Sequence, residues 1–458
     1  MQIKQFYNQG HSQFSYIISS GKEAVIIDPV RDVEHYLQYL ADKQLILKYI
    51  FETHIHADFV SGHLELADKT GATIVYGPQV RVAYPSYSAR HNESFNLEGC
   101  SIKALHTPGH TMESVCYLLN NNVGQPIAIF TGDTLFVGDV GRPDLMSGNK
   151  NAVELSEYLY HSINDIIKTL PDELVVYPGH GAGSFCGKNP GKEKFSTIGE
   201  QKKRNYALKD ISLEKFTNEI TTGLSVPPEY FFKVMSINIM GCRPMKDVFR
   251  NNLNFLSPVN FKAETQRALI VDTRNELEFS KAFIKGSVNI GLDGSFATWA
   301  GILLDPDHPV LLVCDSGKEK EAIGALAQIG IENVRGILHG GIKSWKDAGQ
   351  PVDNVENIDA EDFYFLFENE GYILVDLRSH QNFNAQHIKR SLSIPLDELP
   401  HRLNEFSPDT KYLLVCKGGY HSMIAASILK RNGINQVVNI SGGFDAVSAF
   451  QPQYVESI

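Results

Sequence analysis

Short apolar runs separated by turn residues dominate residues 1–200 and predict a β-rich domain. Two longer stretches, Asp32–Lys43 and Gly62–Thr70, have helical spacing instead. Most histidine and aspartate residues of this region follow a strand-like run, where loops on a β scaffold carry functional groups. Residues 201–255 form a predicted helical, then mixed, connection. The clearest strand-like runs are Ala24–Ile27, Thr73–Tyr76, Ile127–Phe130 and Leu174–Tyr177.

The remainder of the chain contains an internal repeat. Ile270–Arg274 recurs as Leu374–Arg378 and Leu312–Cys314 recurs as Leu414–Cys416, in each case roughly 100 residues later. Helical stretches alternate with these apolar runs, which is typical of a parallel sheet flanked by helices. We therefore predict two copies of one α/β domain, joined at Glu356–Asp359. The main predicted helices are Glu319–Ile329 in the first copy and Ser422–Asn432 in the second.

Composition and charge indicate the number of domains and argue against nucleic-acid and membrane partners. The chain has 458 residues, which at roughly 100–200 residues per domain suggests about three domains. The net charge is −11 and no Lys/Arg block occurs, so we expect no nucleic-acid partner. No apolar run approaches the roughly 20 residues of a membrane span, and the first residues lack the apolar core of a signal peptide. We expect a soluble, cytoplasmic protein without a membrane partner.

The six cysteines are scattered and form no CxxC pair, so we expect free thiols in a reducing compartment. The role of Cys242 is not predicted by any motif. The six are Cys100, Cys116, Cys186, Cys242, Cys314 and Cys416.

A set of metal-type residues stands out in the first domain. The segment Thr53–Asp58 has the spacing HxHxD and follows the apolar run Lys48–Phe51. Three further residues of this kind lie at loop positions: His110 in TPGH, Asp133 in TGDT and His180 in YPGHG. Imidazole and carboxylate ligands suit zinc, iron or manganese, whereas calcium takes all-oxygen ligation. Six such residues in this order predict a metal centre.

These loops resemble the metallo-β-lactamase superfamily over about residues 1–230, and the resemblance implies an αββα sandwich. Dinuclear hydrolases of that superfamily, such as glyoxalase II, read HxHxDH, whereas this chain has Phe59 in place of the last histidine. Phenylalanine cannot bind a metal, which argues against a two-metal hydrolase. The persulfide dioxygenase branch implies one Fe(II) per chain on His54, His110 and Asp133, a facial triad with open positions. His56, Asp58 and His180 then become groups that orient the ligands.

Two further stretches resemble the same branch, GDVGRPDL from Gly138 and HGAGSFCGK from His180. The resemblance implies that Arg142 and Tyr177 contact the thiol substrate, and a guanidinium forks well onto a carboxylate. The alternative for Arg142 is a structural ion pair with Asp144 or Asp139. Cys186 is a possible residue of the pocket mouth, the alternative being a packed neutral thiol.

The last domain carries a reactive-cysteine pattern. Cys416 follows the apolar run Tyr412–Val415 and precedes a helix, where loop N–H groups and the helix dipole favour a thiolate. Cys416–Ser422 resembles the rhodanese active loop, CxxGxRS, with His421 where arginine is usual. The resemblance covers about residues 356–458 and implies that Cys416 carries sulfane sulfur as a persulfide. Residues predicted to bind the anionic substrate are Gly418, Gly419, Tyr420 and His421.

The first copy has a less favourable cysteine. Asp315, Glu319 and Glu321 surround Cys314, and acidic neighbours raise a thiol pKa and repel anionic substrates. We expect a degenerate, structural domain. The alternative is that Cys314 forms a second active site for sulfur transfer.

The domains predicted from these patterns are 1–235 (metallo-β-lactamase fold), 236–255 (linker), 256–355 (degenerate rhodanese-like) and 356–458 (rhodanese). The expected function is iron-dependent oxidation of a low-molecular-weight persulfide by O₂ to sulfite, joined to sulfur transfer among persulfide, sulfite and thiosulfate through Cys416. A homo-oligomer is possible. The alternatives are a glyoxalase II-like thioester hydrolase with sulfurtransferase domains, and a sulfur-responsive binding or scaffold protein.

Overall fold

The computed structural model of the chain describes residues 1–145, 150–224, 226–369 and 371–457. The chain divides into two compact units. The first comprises Met1–Val248 with Ala327–Gly330, and the second comprises Phe249–Leu326 with Ile331–Ile458. No helix in the described part of the chain has the length and apolar character needed to span a bilayer.

The first unit contains two six-stranded sheets. Their inner faces share one apolar layer, which includes Phe51, Tyr117 and Phe130. Alternation along a strand explains this, since Tyr16 faces the inner layer while its neighbour Ile17 faces the outer helices. In spatial order the strands are Gln2–Asn8, Gln13–Ser20, Glu23–Ile27, Ile46–Phe51, Thr73–Tyr76 and Tyr87–Ser88 in one sheet, and Ser196–Thr197, Val175–Pro178, Pro126–Gly132, Val115–Asn120, Cys100–His106 and Ser94–Leu97 in the other.

Helices cover the outer faces of these sheets through two further apolar clusters. The layers are therefore helix, sheet, sheet, helix, which confirms the predicted αββα sandwich. The two helices predicted in this region are present as Glu34–Asp42 and His63–Thr70. The connection after residue 200 is largely helical. The remaining α-helices up to residue 252 are Ala152–His161, Ile198–Arg204, Leu213–Thr221, Tyr230–Met240 and Met245–Asn252.

The second unit contains two five-stranded sheets whose strands all pair in parallel. Both sheets have the same strand order, which confirms the internal repeat. The predicted joint contributes the strand Glu356–Ile358 to the second sheet. In spatial order the strands are Phe255–Leu256, Val334–Leu338, Val310–Val313, Leu269–Asp272 and Val288–Asn289, then Glu356–Ile358, Val437–Ile440, Tyr412–Val415, Ile373–Asp376 and Leu392–Ser393.

Helices flank both of these sheets, and a short pair, His387–Ile388 with Val455–Glu456, lies beside the second. The two predicted helices of the repeat are present as Glu319–Gln328 and Tyr420–Arg431. The exact domain boundaries stay a prediction. The other helices are Pro258–Glu264, Glu276–Lys281, Phe296–Leu303, Gly341–Asp347, Phe363–Asn369, His380–Ala385 and Gly443–Phe450.

Each copy carries a buried ion pair at the end of the strand beside its central strand, Leu269–Asp272 in the first copy and Ile373–Asp376 in the second. Arg378 forks onto Asp376, with Nη2 2.6 Å from Oδ2 and the carboxylate fully buried. Replacing Asp376 by alanine leaves a buried guanidinium without its partner, and we expect a loss of about 3–5 kcal/mol in the free energy of unfolding. Urea unfolding followed by circular dichroism measures it. The exposed Asp409→Ala is the matched control, and an equal effect of both variants would contradict this assignment.

Candidate functional site

Loops at one edge of the sandwich bring the predicted metal ligands together. His54 follows the strand Ile46–Phe51, and Asp133 follows the strand Pro126–Gly132. His110 lies in the loop after Cys100–His106. All three side chains are buried, and their ligand atoms lie within 4.8 Å of one another.

The geometry of this triad fits a bound cation. Asp133 Oδ2 lies 3.8 Å from His54 Nε2 and 3.5 Å from His110 Nε2. Among the described residues, this buried oxygen has no hydrogen-bond partner. Burial lowers the pKa of His54, and the neighbouring imidazoles lower it further, so its ring is neutral and offers a lone pair. Two imidazoles and an unpartnered carboxylate oxygen therefore form a plausible metal centre.

The far nitrogen of each histidine is held by a hydrogen bond that fixes its tautomer. The Thr53 hydroxyl donates to Asp28 Oδ2 at 2.8 Å, so it accepts from His54 Nδ1–H at 3.0 Å. His110 Nδ1–H donates to the Arg142 carbonyl oxygen at 2.8 Å. Both Nε2 atoms are thereby left as acceptors facing Asp133.

His180 orients the aspartate of the triad. Its Nδ1 lies 2.8 Å from Asp133 Oδ1, and its Nε2 lies 2.8 Å from Asp58 Oδ2. Although burial opposes it, the two carboxylates raise the pKa of His180 to about 10. The ring therefore donates both N–H groups and leaves Asp133 Oδ2 for the metal.

His56 lies beside the triad, with its ring centroid 4.3 Å from that of His54, but its Nε2 contacts two carboxylates. Its Nε2 lies 3.1 Å from Asp28 Oδ1 and 3.2 Å from Glu52 Oε2, and all three side chains are buried. The fully buried Phe59 ring packs on the His56 imidazole with centroids 4.3 Å apart. A carboxylate pair and an aromatic ring thus occupy the surroundings of His56.

Cys186 lies beside the triad rather than at an exposed mouth. Its thiol is 1% exposed, and it groups with Asp58 and His180 within 4.8 Å. Burial raises the pKa of Cys186 well above its usual value, and the carboxylates of Asp58 and Asp133 raise it further. The thiol is therefore neutral, as the packed-thiol alternative predicts.

The two residues predicted to contact substrate have partners in the protein. Arg142 Nε and Nη2 each donate to Asp144 at 2.7 Å. The Tyr177 ring stacks on Phe130 with centroids 5.2 Å apart, at the edge of the layer between the sheets. Arg142 touches the candidate centre through its carbonyl oxygen, and substrate contact by either side chain stays a prediction.

The Cys416 loop has the geometry of an anion cradle. Cys416 Sγ accepts from the Gly419 N–H at 3.1 Å and lies 3.3 Å from Ser422 Oγ. Gly419 has φ +108°, which favours glycine there. The helix Tyr420–Arg431 begins immediately afterwards, so its positive end points at the loop. Strand, loop and helix thus meet at Cys416 as predicted.

The Cys314 loop is chemically different. Burial raises the pKa of Cys314 to about 12, and Asp272, Glu319 and Asp315 add to the rise while a hydrogen bond with Thr273 opposes it. A cavity of about 230 Å³ beside it is lined by Asp293, Asp315 and Glu321 among others. A neutral thiol beside an acidic cavity supports the predicted degenerate copy.

Known protein families match both the first domain and the two later domains of the chain. Residues 9–180 match the metallo-beta-lactamase superfamily model, and residues 258–348 and 359–450 each match the rhodanese-like domain model. A hydroxyacylglutathione hydrolase of Pelagibacter ubique is 31% identical over 210 residues, which are 44% of this chain and 80% of that protein. The chain belongs to the metallo-beta-lactamase superfamily.

Two solved structures of superfamily members are also similar. A metallo-beta-lactamase from Staphylococcus aureus is 32% identical with a TM-score of 0.66, covering 74% of this chain and 98% of that one. ETHE1 from Myxococcus xanthus is 32% identical with a TM-score of 0.44, covering 52% of this chain and 96% of that one. The family models place the superfamily domain before the two rhodanese-like domains. Members of the metallo-beta-lactamase superfamily are metal-dependent enzymes.

Some residues of this site were not predicted from the sequence. His11 is 3% exposed, and its ring lies 6.1 Å from that of Phe59. Burial lowers the pKa of His11 to about 4, although the Asp58 carboxylate opposes this. Asp28 and Glu52, which hold His56, were also missed. None of these residues belongs to a spacing motif, so only the three-dimensional structure reveals them.

A glycine in the superfamily domain leaves room for two ligands. A Cβ at Gly141 would lie 2.0 Å from the Asp133 carbonyl oxygen and 2.8 Å from His110 Nδ1. We expect Gly141→Ala to displace both ligands and weaken metal affinity by about 10–100-fold, as loss of ligand support does. Competition with a chelator measures the affinity. Gly324→Ala, where a Cβ meets no atom within 4 Å, is the control, and unchanged affinity in Gly141→Ala would contradict the geometry.

Proposed function

We propose that the chain is an iron-dependent persulfide dioxygenase joined to a Cys416-dependent sulfurtransferase. The first reaction is RSSH + O₂ + H₂O → RSH + HSO₃⁻ + H⁺, in which the terminal sulfur is oxidised and O₂ is reduced. The observation that carries the proposal is the His54, His110 and Asp133 triad, whose Asp133 Oδ2 has no hydrogen-bond partner among the described residues, while Phe59 packs on His56 in place of the histidine expected of a two-metal hydrolase. One three-ligand site suits an Fe(II) oxygenase better than a two-metal hydrolase.

Each residue of the proposed iron site has a separate role. His54, His110 and Asp133 would hold one Fe(II) per chain. When bound, that ion supplies the one-electron chemistry with O₂ that a persulfide cannot perform alone. His180 keeps Asp133 oriented through its 2.8 Å hydrogen bond, and Asp58 holds the other side of the same ring. Arg142 and Tyr177 are the proposed contacts for the carrier thiol.

Cys416 performs the second reaction. The Cys416 thiol takes the terminal sulfur from RSSH, forming a Cys416 persulfide and releasing RSH. Sulfite then takes that sulfur, giving thiosulfate and restoring the thiol, with no external oxidant. The Gly419 N–H that contacts Sγ supports the anionic sulfur during this exchange.

A second candidate is thioester hydrolysis. It is favoured by the similarity to a hydroxyacylglutathione hydrolase and by Asp58 and His180, which meet close to the triad. It needs a second metal ion, and Phe59 fills the place of one of that ion's usual ligands in the resembling hydrolases.

Metal content and product analysis distinguish the two candidates. Protein reconstituted anaerobically with Fe(II) is expected to bind one equivalent per chain and to form sulfite or thiosulfate from glutathione persulfide in air. Two equivalents of metal per chain, with thioester cleavage and no sulfur oxyanion, would favour the hydrolase instead.

A further inference from the structure

The first rhodanese-like copy packs against the Cys416 loop of the second copy, within one compact unit. The Tyr420 hydroxyl donates to the Gly291 carbonyl oxygen at 2.8 Å. A Cβ at Gly294 would lie 2.4 Å from Tyr420 Cζ, so the glycine allows the ring to approach its backbone. The segment Gly291–Trp299 therefore forms a wall beside the loop, although its own domain is predicted to be degenerate.

The same segment holds His421. Its imidazole packs edge-on against the Trp299 indole, with centroids 4.5 Å apart and planes at 65°. Trp299 is only 8% exposed, which makes this contact part of a packed interface. Burial lowers the pKa of His421 to about 4, so the ring is uncharged at neutral pH.

Charge around the loop is otherwise low. Lys417 is its one basic side chain, and Lys417 lies exposed at the surface. Burial raises the pKa of Tyr420, and the nearby Asp293 carboxylate raises it further. Within residues 416–422, an anion at Cys416 therefore meets the Gly419 N–H and no cation other than the exposed Lys417. Guanidinium groups bind oxyanions bidentately, and a neutral imidazole cannot do so.

We propose that Trp299 and His421 determine the donor specificity of the Cys416 loop. By placing an uncharged ring where the resembling sulfurtransferases carry arginine, they weaken binding of doubly charged thiosulfate relative to a persulfide whose reacting end carries one charge. The first copy thus contributes a specificity residue to the second. The inference rests on the proposed transfer through Cys416.

Both donors undergo the same balanced exchange. The Cys416 thiolate attacks the outer sulfur, a new S–S bond forms and the old S–S bond breaks. The leaving group is RS⁻ from an organic persulfide and SO₃²⁻ from thiosulfate. Only the second reaction requires the loop to hold a doubly charged donor and release a doubly charged product, which is where a missing cation has most effect.

Substitution of His421 tests the proposal. Full-length wild type, His421→Arg and His421→Gln would be assayed with thiosulfate and with glutathione persulfide, using cyanide as acceptor. Arginine can stack on the Trp299 indole, and circular dichroism of each variant checks that it is folded. We expect His421→Arg to raise the ratio of kcat/KM for thiosulfate to that for the persulfide by about tenfold or more, mainly through KM. His421→Gln should leave the ratio unchanged. Equal changes in the ratio for both variants, or none, would overturn the proposal.

A binding measurement keeps this result separate from the transfer reaction itself. Thiosulfate would be titrated into Cys416→Ser and into Cys416→Ser/His421→Arg in a Trp345→Phe background, so that Trp299 is the remaining tryptophan and its fluorescence is the signal. We expect the double variant to bind thiosulfate about tenfold more tightly. Equal affinities would refute the specificity role. Tighter binding together with no Cys416-dependent transfer in the wild type would show that His421 controls anion binding and would reject the transfer function on which donor specificity rests.

Discussion

Asp133→Ala is expected to abolish iron binding and persulfide-dependent O₂ uptake while leaving Cys416-dependent sulfur transfer intact. Asp133 is the one carboxylate of the triad, and its Oδ2 lies within 4 Å of both histidine Nε2 atoms. Loss of groups that merely support a ligand typically costs 10–100-fold, so loss of the ligand should lower activity by more than about a hundredfold. Iron content and O₂ uptake are the measurements.

A control separates this effect from a loss of folding. The exposed Asp68→Ala, in the helix His63–Thr70, should behave as the wild type. Cys416-dependent sulfur transfer should persist in Asp133→Ala, because the cysteine lies in the other compact unit. Retention of one equivalent of iron by Asp133→Ala would contradict the assignment of the triad.

Cys416→Ser is expected to abolish sulfur transfer without reducing O₂ uptake. The serine hydroxyl keeps the size of the side chain but is not a sulfur nucleophile at neutral pH, so transfer should fall by more than about a thousandfold. The oxidation product should then accumulate as sulfite, since no Cys416 persulfide is available to convert it to thiosulfate. Ion chromatography of both anions measures the change.

The matched control is Cys314→Ser in the first copy. Its thiol is buried beside acidic groups, so its replacement should leave both the transfer rate and the product ratio unchanged. If Cys314→Ser instead removed transfer while Cys416→Ser retained it, the assignment of the two copies would be reversed.

The triad could be predicted from sequence because each ligand sits in a short loop with its own pattern. His54 follows a strand of one sheet, whereas His110 and Asp133 follow strands of the other sheet, and loops after strands commonly carry functional groups. The repeat was visible for a similar reason, since Asp272–Arg274 and Asp376–Arg378 close the same local ion pair in each copy.

Contacts between distant segments could not be predicted in this way. The Asp28 carboxylate that holds His56 follows the strand Glu23–Ile27, a different strand from the one that precedes His56. The Trp299 indole meets His421 through the packing of two separate domains. Such pairs form only in the complete fold, and the position of either residue in the sequence does not identify its partner.

Oxygen uptake by the iron-loaded chain tests the central claim most directly. Protein loaded anaerobically with Fe(II) would receive glutathione persulfide and then O₂, beside a zinc-loaded sample of the same preparation. We expect O₂ uptake equimolar with the persulfide consumed, release of sulfite or thiosulfate, and no uptake by the zinc form. Absence of uptake with several persulfide carriers, together with thioester hydrolysis by the zinc form, would contradict it.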